Sequence, residues 1–295
     1  MDTQRKPPRA AFCIAFPRRR RCRPRLRDFV AQRPRRAAYF WVLLPQLTLS
    51  TTPPPAVRAS PVETINAVAA TALRSFDPRA VPVIGIDSQL PPVAPERLGA
   101  DALRARFAHP PQWAPELRHE PRVLDRAPAQ AAVLVPIVMR PEEPMVLLTQ
   151  RTAQLSNHSG QVAFPGGRID PEDANIAAAA LREAWEEVGL SAEYIEVLGC
   201  LPTYTTITAF VVTPVVALVR PDFGLTLNPH EVAVAFEVPL AFLMDPSNHR
   251  RHSLEEAGGP ARQWLSMPYQ DGASERFVWG ATAGMLRNLY RFLSA

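Results

Sequence analysis

Apolar residues in the second half of this chain fall into short runs that predict strands. Each run is rich in Val, Ile, Leu or Thr and is bounded by Gly, Pro or charged residues. The predicted strands cover residues 130–139, 145–151, 162–164, 194–201, 208–219, 232–239 and 264–269. The first two flank a short segment with two prolines and three charged residues, which predicts a hairpin.

Helical spacing of apolar residues occurs at fewer places. Residues 174–188 are rich in Ala and contain no Gly or Pro, and Gly189 is a natural stop, so a helix is predicted there. Amphipathic or short apolar patterns predict further helices over 61–76, 98–107, 240–244 and 281–293. Strands on both sides of one central helix, with another helix at the end, predict an α+β domain.

Three regions of different composition divide the chain. Residues 1–58 are rich in Arg and Pro and predict a disordered extension. Residues 59–127 form an N-terminal segment with helical and Pro-rich stretches, in which 80–94 predicts an irregular link and 109–126 a stretch that wraps the surface. Residues 128–295 hold the predicted α+β domain.

The formal net charge of +5 comes from the N-terminal extension. Residues 1–40 carry 13 Lys or Arg and two Asp, so the rest of the chain is acidic. Three explanations of the extension stay open: an anion- or nucleic-acid-binding tail, an organelle-type targeting peptide, or a translation start assigned too far upstream, which we favour. Because the predicted domain is acidic, nucleic acid is not expected as its partner.

The cysteines and the longest apolar runs indicate the cellular compartment in which the protein is expected. Cys13, Cys22 and Cys200 have no metal-ligand spacing and leave one thiol over in any pairing. That pattern fits a reducing compartment, so we expect a cytoplasmic protein. No apolar run approaches the roughly 20 residues that span a bilayer, so we expect no membrane segment. The oligomeric state is left open, with a homodimer as one option.

Three carboxylates lie on one face of the predicted central helix. Glu183, Glu186 and Glu187 stand at i, i+3 and i+4, so they project within one turn of each other. Like charges this close repel unless something neutralises them. Carboxylate oxygens suit Mg²⁺ or Mn²⁺, which retain waters and bridge to substrate phosphates. Arg182 is within reach of an ion pair with Glu186, while the alanines and Trp185 are expected to pack elsewhere.

A glycine turn precedes this helix. The predicted strand over 162–164 leads directly into Pro165, Gly166 and Gly167. Glu-rich helix faces are usually only solvated, and that alternative would apply to an arbitrary helix. Here the combination of strand, glycine turn and charged helix favours a divalent-metal site for a phosphate substrate, in which Gly166 and Gly167 set the entrance to the helix.

The same residues resemble the signature of the Nudix hydrolases. That signature is a glycine, a Glu, an Arg-Glu pair, a Glu-Glu pair and a final Gly. The matching positions are Gly167, Arg182, Glu183, Glu186, Glu187 and Gly189. Ala174 stands where the family has its first Glu, and the turn, one residue longer than the common spacing, contains Asp170 and Asp173. The resemblance implies a Nudix α/β/α sandwich with mixed sheets and a catalytic loop-helix-loop over residues 128–295.

A second resemblance covers residues 147–167, LLTQRTAQLSNHSGQVAFPGG. This segment is similar to the additional motif of the coenzyme A diphosphatase branch, and the Asp-containing turn looks like the same branch. The resemblance implies hydrolysis of coenzyme A or acyl-CoA to (acyl-)phosphopantetheine and 3′,5′-ADP. Arg151 and His158 are candidate phosphate contacts, and Gly160 allows close backbone approach. Taken singly, Arg151 is equally well a surface charge and His158 a loop hydrogen-bonder.

The predicted roles follow from this chemistry. Glu183, Glu186 and Glu187 would bind Mg²⁺ or Mn²⁺, and Arg182 would orient them. The general base stays open between Glu186, Glu187 and Glu231, a loop residue placed where related enzymes supply a catalytic or metal-binding Glu. The alternatives are a Nudix diphosphatase acting on ADP-ribose or a dinucleotide such as NADH, and a non-catalytic nucleotide-binding regulator. The complete Arg-Glu and Glu-Glu set argues against lost catalysis.

Overall fold

The computed structural model describes residues 77–120, 127–152, 160–255 and 261–295. The predicted extension over 1–58, the predicted helix over 61–76 and His158 lie outside the described residues. The strands are β1 (Val83–Ile86), β2 (Ala129–Met139), β3 (Pro144–Arg151), β4 (Val162–Ala163), β5 (Gly166–Arg168), β6 (Ile195–Cys200), β7 (Tyr204–Thr205), β8 (Phe210–Val219), β9 (Val232–Pro239), β10 (Arg250–Leu254), β11 (Arg262–Asp271) and β12 (Ser274–Trp279). The α-helices are α1 (Ala100–Ala108), α2 (Ile176–Val188), α3 (Leu240–Leu243) and α4 (Gly280–Ser294).

The larger sheet is built around a parallel pair. β2 runs beside β8 in the same direction, from Ala129 opposite Phe210 to Val138 opposite Val219. β3 returns from β2 as the predicted hairpin and pairs along its length with β9, while β6 and β7 pair antiparallel with β8. β5 pairs with the first half of β2, and β4 pairs with the second half of β3. The starts of β2, β8 and β9 and the end of β3 therefore lie at one end of this sheet.

The second sheet contains a strand that the sequence did not predict. Its order is β1-β10-β11-β12, and every pair is antiparallel. β1 lies within the stretch over 80–94 that we predicted to be an irregular link, so that prediction is wrong for these four residues. Their exposure pattern explains the miss, because three of the four are exposed and no apolar alternation marks a buried face. β10 and β12 were also not predicted.

The larger sheet separates two apolar layers. On one face, alternate residues of β2 and β8 pack against the buried alanines of α2: Ala132, Leu134, Val138, Val215, Ala217, Val219, Ala179, Ala180 and Ala184. On the other face, the intervening residues pack with the second sheet and α4: Ala131, Val135, Ile137, Val216, Leu218, Leu265, Met267, Val278, Leu286 and Leu289. This alternation is the physical reason that both faces of β2 and β8 carry apolar side chains.

The helices agree with the predictions except in one detail of packing. The predicted helices over 98–107, 174–188, 240–244 and 281–293 appear as α1 to α4 with ends shifted by at most two residues. Trp185 was expected to pack, but it is 59% exposed. It lies beside the narrow alanine stripe that contacts the sheet, so its ring points away from the core. Among the described residues, no helix is long and apolar enough to cross a membrane.

A charged cluster is buried where α4 meets the N-terminal segment. The Arg287 side chain is fully buried, and its guanidinium contacts Glu116 at 2.7 Å and Asp87 at 3.0 Å. Arg251 bridges the same two carboxylates at 2.8 Å each. Burial lowers the pKa of His249 to about 4, so its neutral ring accepts from Arg287 at Nδ1 and donates to a backbone carbonyl at Nε2. These contacts tie the segment before residue 121 to the last helix.

Removal of the Glu116 charge from this cluster should lower the stability at neutral pH. The free energy of unfolding should then vary less between neutral and acidic pH. Burial raises the pKa of Glu116, but hydrogen bonds from Arg287, Arg251 and Arg291 together outweigh it and lower the pKa from 4.5 to about 2. The ionised form is thus favoured by folding, and its contribution is complete above pH 4.5 and lost as the pH falls toward 2. We expect the free energy of unfolding of Glu116→Gln to be about 2–3 kcal/mol lower than wild type at neutral pH.

Urea denaturation across this pH range measures the difference between the two proteins. The gap should narrow as the pH falls below the unfolded-state pKa of Glu116. Glu275→Gln is the matched control, since that side chain is 47% exposed and its closest ion pair is 3.6 Å long. A gap for Glu116→Gln that does not change with pH would contradict the assignment.

Candidate active site

The register of α2 is fixed at both ends by its own sequence. Asn175 precedes the helix, and its side-chain oxygen accepts a hydrogen bond from the N–H of Ala178 at 2.9 Å. Gly189 ends the helix in the left-handed region, at φ 69°, and its N–H bonds carbonyls of the last turn. These two caps fix where α2 begins and ends. Glu183, Glu186 and Glu187 therefore lie within its last two turns.

The glycine turn lies too close to its neighbours to carry side chains. Gly166 has φ 155°, and a Cβ there would lie 2.5 Å from the carbonyl oxygen of Ala132. A Cβ at Gly167 would lie 2.5 Å from Oε1 of Glu183. Gly166 therefore needs glycine, whereas a side chain at Gly167 would displace the Glu183 carboxylate.

Glu187 is the most buried carboxylate of the helix. Its side chain is 5% exposed, Oε2 accepts a hydrogen bond from the N–H of Gly166 at 3.2 Å, and Oε1 is 3.6 Å from Nη1 of Arg151. Burial raises the pKa of Glu187 to about 7, and the nearby carboxylates of Glu231 and Glu183 contribute to the rise. The Gly166 N–H and Arg151 act in the opposite direction but do not compensate for burial.

Glu183 and Glu186 both form an ion pair with the guanidinium of Arg182. Nη1 of Arg182 is 3.0 Å from Oε1 of Glu183 and 3.1 Å from Oε2 of Glu186, so the predicted ion pair with Glu186 is present. Burial raises the pKa of Glu183 despite this contact. The Glu186 side chain is 53% exposed and lies at the solvent side of the cluster.

Arg182 is itself held by a residue to which the sequence assigned no role. Asp173 receives two hydrogen bonds from the guanidinium, each 3.0 Å long, and the carbonyl of Arg168 receives another at 3.0 Å. Hydrogen bonding to Arg182 lowers the pKa of Asp173. Asp173 thus supplies a carboxylate in the turn where the usual Glu is replaced by Ala174. The signal was available, because Asp170 and Asp173 are acidic residues in that turn.

Glu231 approaches the helix from the loop before β9. The N–H of Asn228 donates to the carbonyl of Glu187 at 2.9 Å, and the N–H of Glu231 donates back to the carbonyl of Asn228 at 3.1 Å. The loop is thereby attached to the end of α2. Its carboxylate is close enough to raise the pKa of both Glu183 and Glu187. The fold therefore brings Glu231 to the same cluster, although it lies 44 residues beyond Glu187 in the sequence.

The predicted substrate-binding residues are only partly described. Arg151 ends β3, and its backbone N–H donates to the carbonyl of Gln161 at 3.0 Å. Gly160 has φ 70°, and its N–H donates to the carbonyl of Arg151 at 3.2 Å. Gly160 and Arg151 are thus adjacent, at the end of the sheet that also holds Glu231. His158 lies between the described segments, and its predicted role stays a prediction.

The chemistry of these side chains suits a hard divalent cation. Among the described residues, no three acidic, His or Cys side chains are close enough to form a complete metal cage. Mg²⁺ does not require one, because it usually keeps several waters and takes one or two carboxylates plus substrate phosphates. Glu187 is a buried carboxylate and Glu183 a partly buried one, both near Glu231, and two nearby guanidinium groups only partly offset their charge. The donor set therefore fits Mg²⁺ or Mn²⁺.

Comparison with known proteins finds one family. A model of the NUDIX domain matches residues 128–268. The chain is 49% identical over 160 residues to a protein named uncharacterized Nudix hydrolase NudL from Cronobacter sakazakii, and the match covers 54% of this chain and 80% of that protein. A protein of the same name from Klebsiella pneumoniae is also 49% identical, and one from Escherichia coli is 46% identical, with the same coverage.

Solved structures of Nudix proteins show a weaker overall match. A Nudix hydrolase from M. smegmatis, RenU, is 28% identical with a TM-score of 0.34, and the match covers 39% of this chain and 73% of that one. An Ap4A hydrolase from C. elegans is 25% identical with a TM-score of 0.33, covering 37% of this chain and 80% of that one. Family membership therefore rests on the sequence matches.

Substitution of Asp173 should disturb the site without touching its carboxylate cluster directly. We expect Asp173→Ala to lower the catalytic rate roughly 10- to 100-fold, because Arg182 loses the two hydrogen bonds that hold it from the side of the turn. Asp170→Ala is the matched control, since Asp170 is 55% exposed and 3.5 Å from the same guanidinium. Steady-state rates of the two variants with Mn²⁺ make the comparison. Equal losses in both variants would contradict a specific role for Asp173.

Proposed function

Because this chain belongs to the Nudix hydrolase family, whose members act on diphosphate bonds and generally use divalent cations, we propose that it cleaves the diphosphate linkage of coenzyme A or acyl-CoA. The products are (acyl-)phosphopantetheine and 3′,5′-ADP. Water forms the new bond to one phosphorus, the bridging P–O bond breaks, and the departing phosphate takes its electron pair. We assign this activity to residues 128–295.

The observation that carries the proposal is the carboxylate cluster beside the glycine turn. The carboxylates of buried Glu187 and partly buried Glu183 lie against the backbone of Gly166 and Gly167, and the loop carrying Glu231 is attached to the same helix. Burial of several carboxylates is unfavourable unless a function requires it. Their proximity, close enough for each to affect the pKa of another, suits diphosphate hydrolysis with a divalent cation that also takes waters and substrate phosphates as ligands.

Support for coenzyme A as substrate comes from the segment over 147–167. Its similarity to the coenzyme A diphosphatase motif covers the end of β3, Gly160 and the glycine turn. Arg151 of this segment is 3.6 Å from Glu187, so one motif residue lies directly at the carboxylate cluster. A guanidinium at that place can bind a phosphate oxygen while it stays next to the groups that act on the diphosphate.

Metal binding and substrate positioning are divided among the side chains of the cluster. Glu183, Glu186 and Glu187 would provide the oxygens that hold Mg²⁺ or Mn²⁺. When bound there, the ion would supply charge neutralisation on the phosphates and a lower pKa for its water. Arg182, positioned by its neighbours, keeps two of these carboxylates in place, and Arg151 binds the phosphates. The Gly166 N–H fixes one oxygen of Glu187, so that the other is presented to the site.

The general base is one of three carboxylates. Glu186 is half exposed and can exchange protons with bulk water, whereas Glu187 is buried and held by the turn. Glu231 comes from the loop before β9, which is attached to the end of α2, so its carboxylate reaches the cluster from outside the helix. A carboxylate that accepts a proton from water must lie within hydrogen-bonding distance of it in the complex.

Glu187→Gln should abolish most of the activity. We expect turnover of coenzyme A with Mn²⁺ to fall at least about a hundredfold, because an amide replaces a metal-binding oxygen or a proton acceptor.

The substrate is tested with the wild-type protein. Purified wild-type protein is incubated with coenzyme A, ADP-ribose and NADH, and the products are resolved by chromatography. Phosphopantetheine and 3′,5′-ADP are the expected products, and coenzyme A is the expected preferred substrate.

Glu193→Gln serves as the control, since this exposed residue lies just beyond α2 and outside the cluster. Near-normal activity of Glu187→Gln would remove Glu187 from the mechanism. Preferred cleavage of ADP-ribose or NADH would replace the substrate while keeping the chemistry. Binding without turnover of any of the three compounds would favour the regulatory alternative.

A further inference from the structure

An open cleft lies beside the proposed active site and has no part in the mechanism above. Its volume is about 620 Å³, within the range of small-molecule sites. The walls come from the segment before residue 121 and from the starts of β2 and β8. The polar residues that line it are Arg118, His119, Glu120, Thr203 and Thr205.

The cleft opens at the same end of the larger sheet as the carboxylate cluster. Pro128 lines the cleft, and Ala131 pairs with Arg168 in the glycine turn. Three residues of extended chain separate these two points, or about 10 Å. Gly280 lies next to both Gln161 and Glu120, because a Cβ placed on it would lie 3.9 Å from Nε2 of Gln161 and 3.7 Å from Oε1 of Glu120. One half of a dinucleotide-like substrate can span this distance.

The backbone that presents Arg118 and His119 is fixed. The N–H of Thr205 donates to the carbonyl of Arg118 at 2.9 Å, and the N–H of Glu120 donates to the carbonyl of Thr205 at 2.8 Å. His119 therefore lies in a parallel bridge with Thr205. Arg118 and His119 are exposed, and their side chains have no hydrogen bond or ion pair with any residue that the structure describes.

Glu120 is buried and anchors this backbone. It is 7% exposed, and Oε2 accepts from the N–H of Ile207 at 2.9 Å. Oε1 accepts a longer bond, 3.4 Å, from the hydroxyl of Tyr204. Burial raises the pKa of Glu120, against the opposing effects of the Ile207 N–H and Arg262. Among the described residues that line the cleft, Glu120 is the only acid, so the accessible charge is positive.

We propose that this cleft binds the 3′-phosphate of the nucleotide half of coenzyme A, with the Arg118 guanidinium as its main contact. This inference rests on the proposed function and adds a residue that determines specificity. A phosphate monoester carries more charge than a ribose hydroxyl, and Arg binds it through two parallel hydrogen bonds. The hydroxyls of Thr203 and Thr205 are further donors in the cleft. ADP-ribose and NADH lack this group and gain nothing from Arg118.

The test compares coenzyme A with 3′-dephospho-coenzyme A. We expect Arg118→Gln to lower kcat/KM for coenzyme A roughly 10- to 100-fold, mainly through KM, because one charge-assisted contact is lost. Hydrolysis of 3′-dephospho-coenzyme A should not change. Arg118→Lys should retain part of the preference, since it keeps the charge but not the two-pronged geometry. Arg220→Gln, exposed at the opposite end of β8, is the matched control.

The outcomes separate this inference from the proposed function. Equal loss on both substrates, or loss on neither, would overturn the role of Arg118. If the wild-type protein does not cleave coenzyme A, the proposed function fails, and binding is then measured by calorimetry on the full chain. A weaker binding of 3′,5′-ADP by Arg118→Gln, with 5′-AMP binding unchanged, still supports the cleft as a phosphate site. Unchanged binding of both nucleotides overturns it.

Discussion

The close approach of the glycine turn to the carboxylates of α2 is the constraint on which the rest of the site depends. Neither Gly166 nor Gly167 has room for a Cβ, so the backbone of β5 takes the space that side chains would fill. One N–H of that backbone holds Glu187. Because β5 is also paired with β2, the turn cannot move away from the helix without breaking the sheet. The buried carboxylates are thereby kept together in spite of their repulsion.

Guanidinium groups distribute the charge around this cluster. Arg182 is bound by Asp173 on one side and contacts Glu183 and Glu186 on the other, while Arg151 approaches Glu187 from β3. The cluster is therefore pre-organised but not neutralised, which leaves room for a cation. At the opposite side of the larger sheet, the cluster around Arg287 joins the N-terminal segment to α4. That attachment also supports the backbone that carries Arg118 into the cleft.

Much of this structure could be predicted from the sequence. The predicted Nudix α+β fold is confirmed. It was predictable because the long apolar runs in β2, β3, β8 and β9 and the alanine stripe of α2 are strong local signals. The helix spacing also placed Glu183, Glu186 and Glu187 on one face. By contrast, β1 is short and largely exposed, and Trp185 lies just outside a buried stripe whose width the pattern does not reveal.

Long-range contacts account for the features that the sequence could not reveal. Asp173 lies nine residues from Arg182, and its role depends on the path of the turn between them. The buried pairs of Arg287 join residues more than 160 positions apart, and nothing near Asp87 or Glu116 in the sequence indicates such partners. The cleft at Arg118 likewise exists only because Thr205 holds the preceding segment in place. Local patterns predict elements, whereas these sites arise from their assembly.

Anomalous scattering at the manganese edge, from crystals grown with Mn²⁺ and 3′,5′-ADP, tests the central claim most directly. We expect a peak about 2 Å from carboxylate oxygens of at least two of Glu183, Glu186 and Glu187, as hard divalent cations require. Crystals with no peak at this position, from a protein preparation that cleaves coenzyme A at full rate with Mn²⁺, would contradict the claim that these carboxylates hold the catalytic metal.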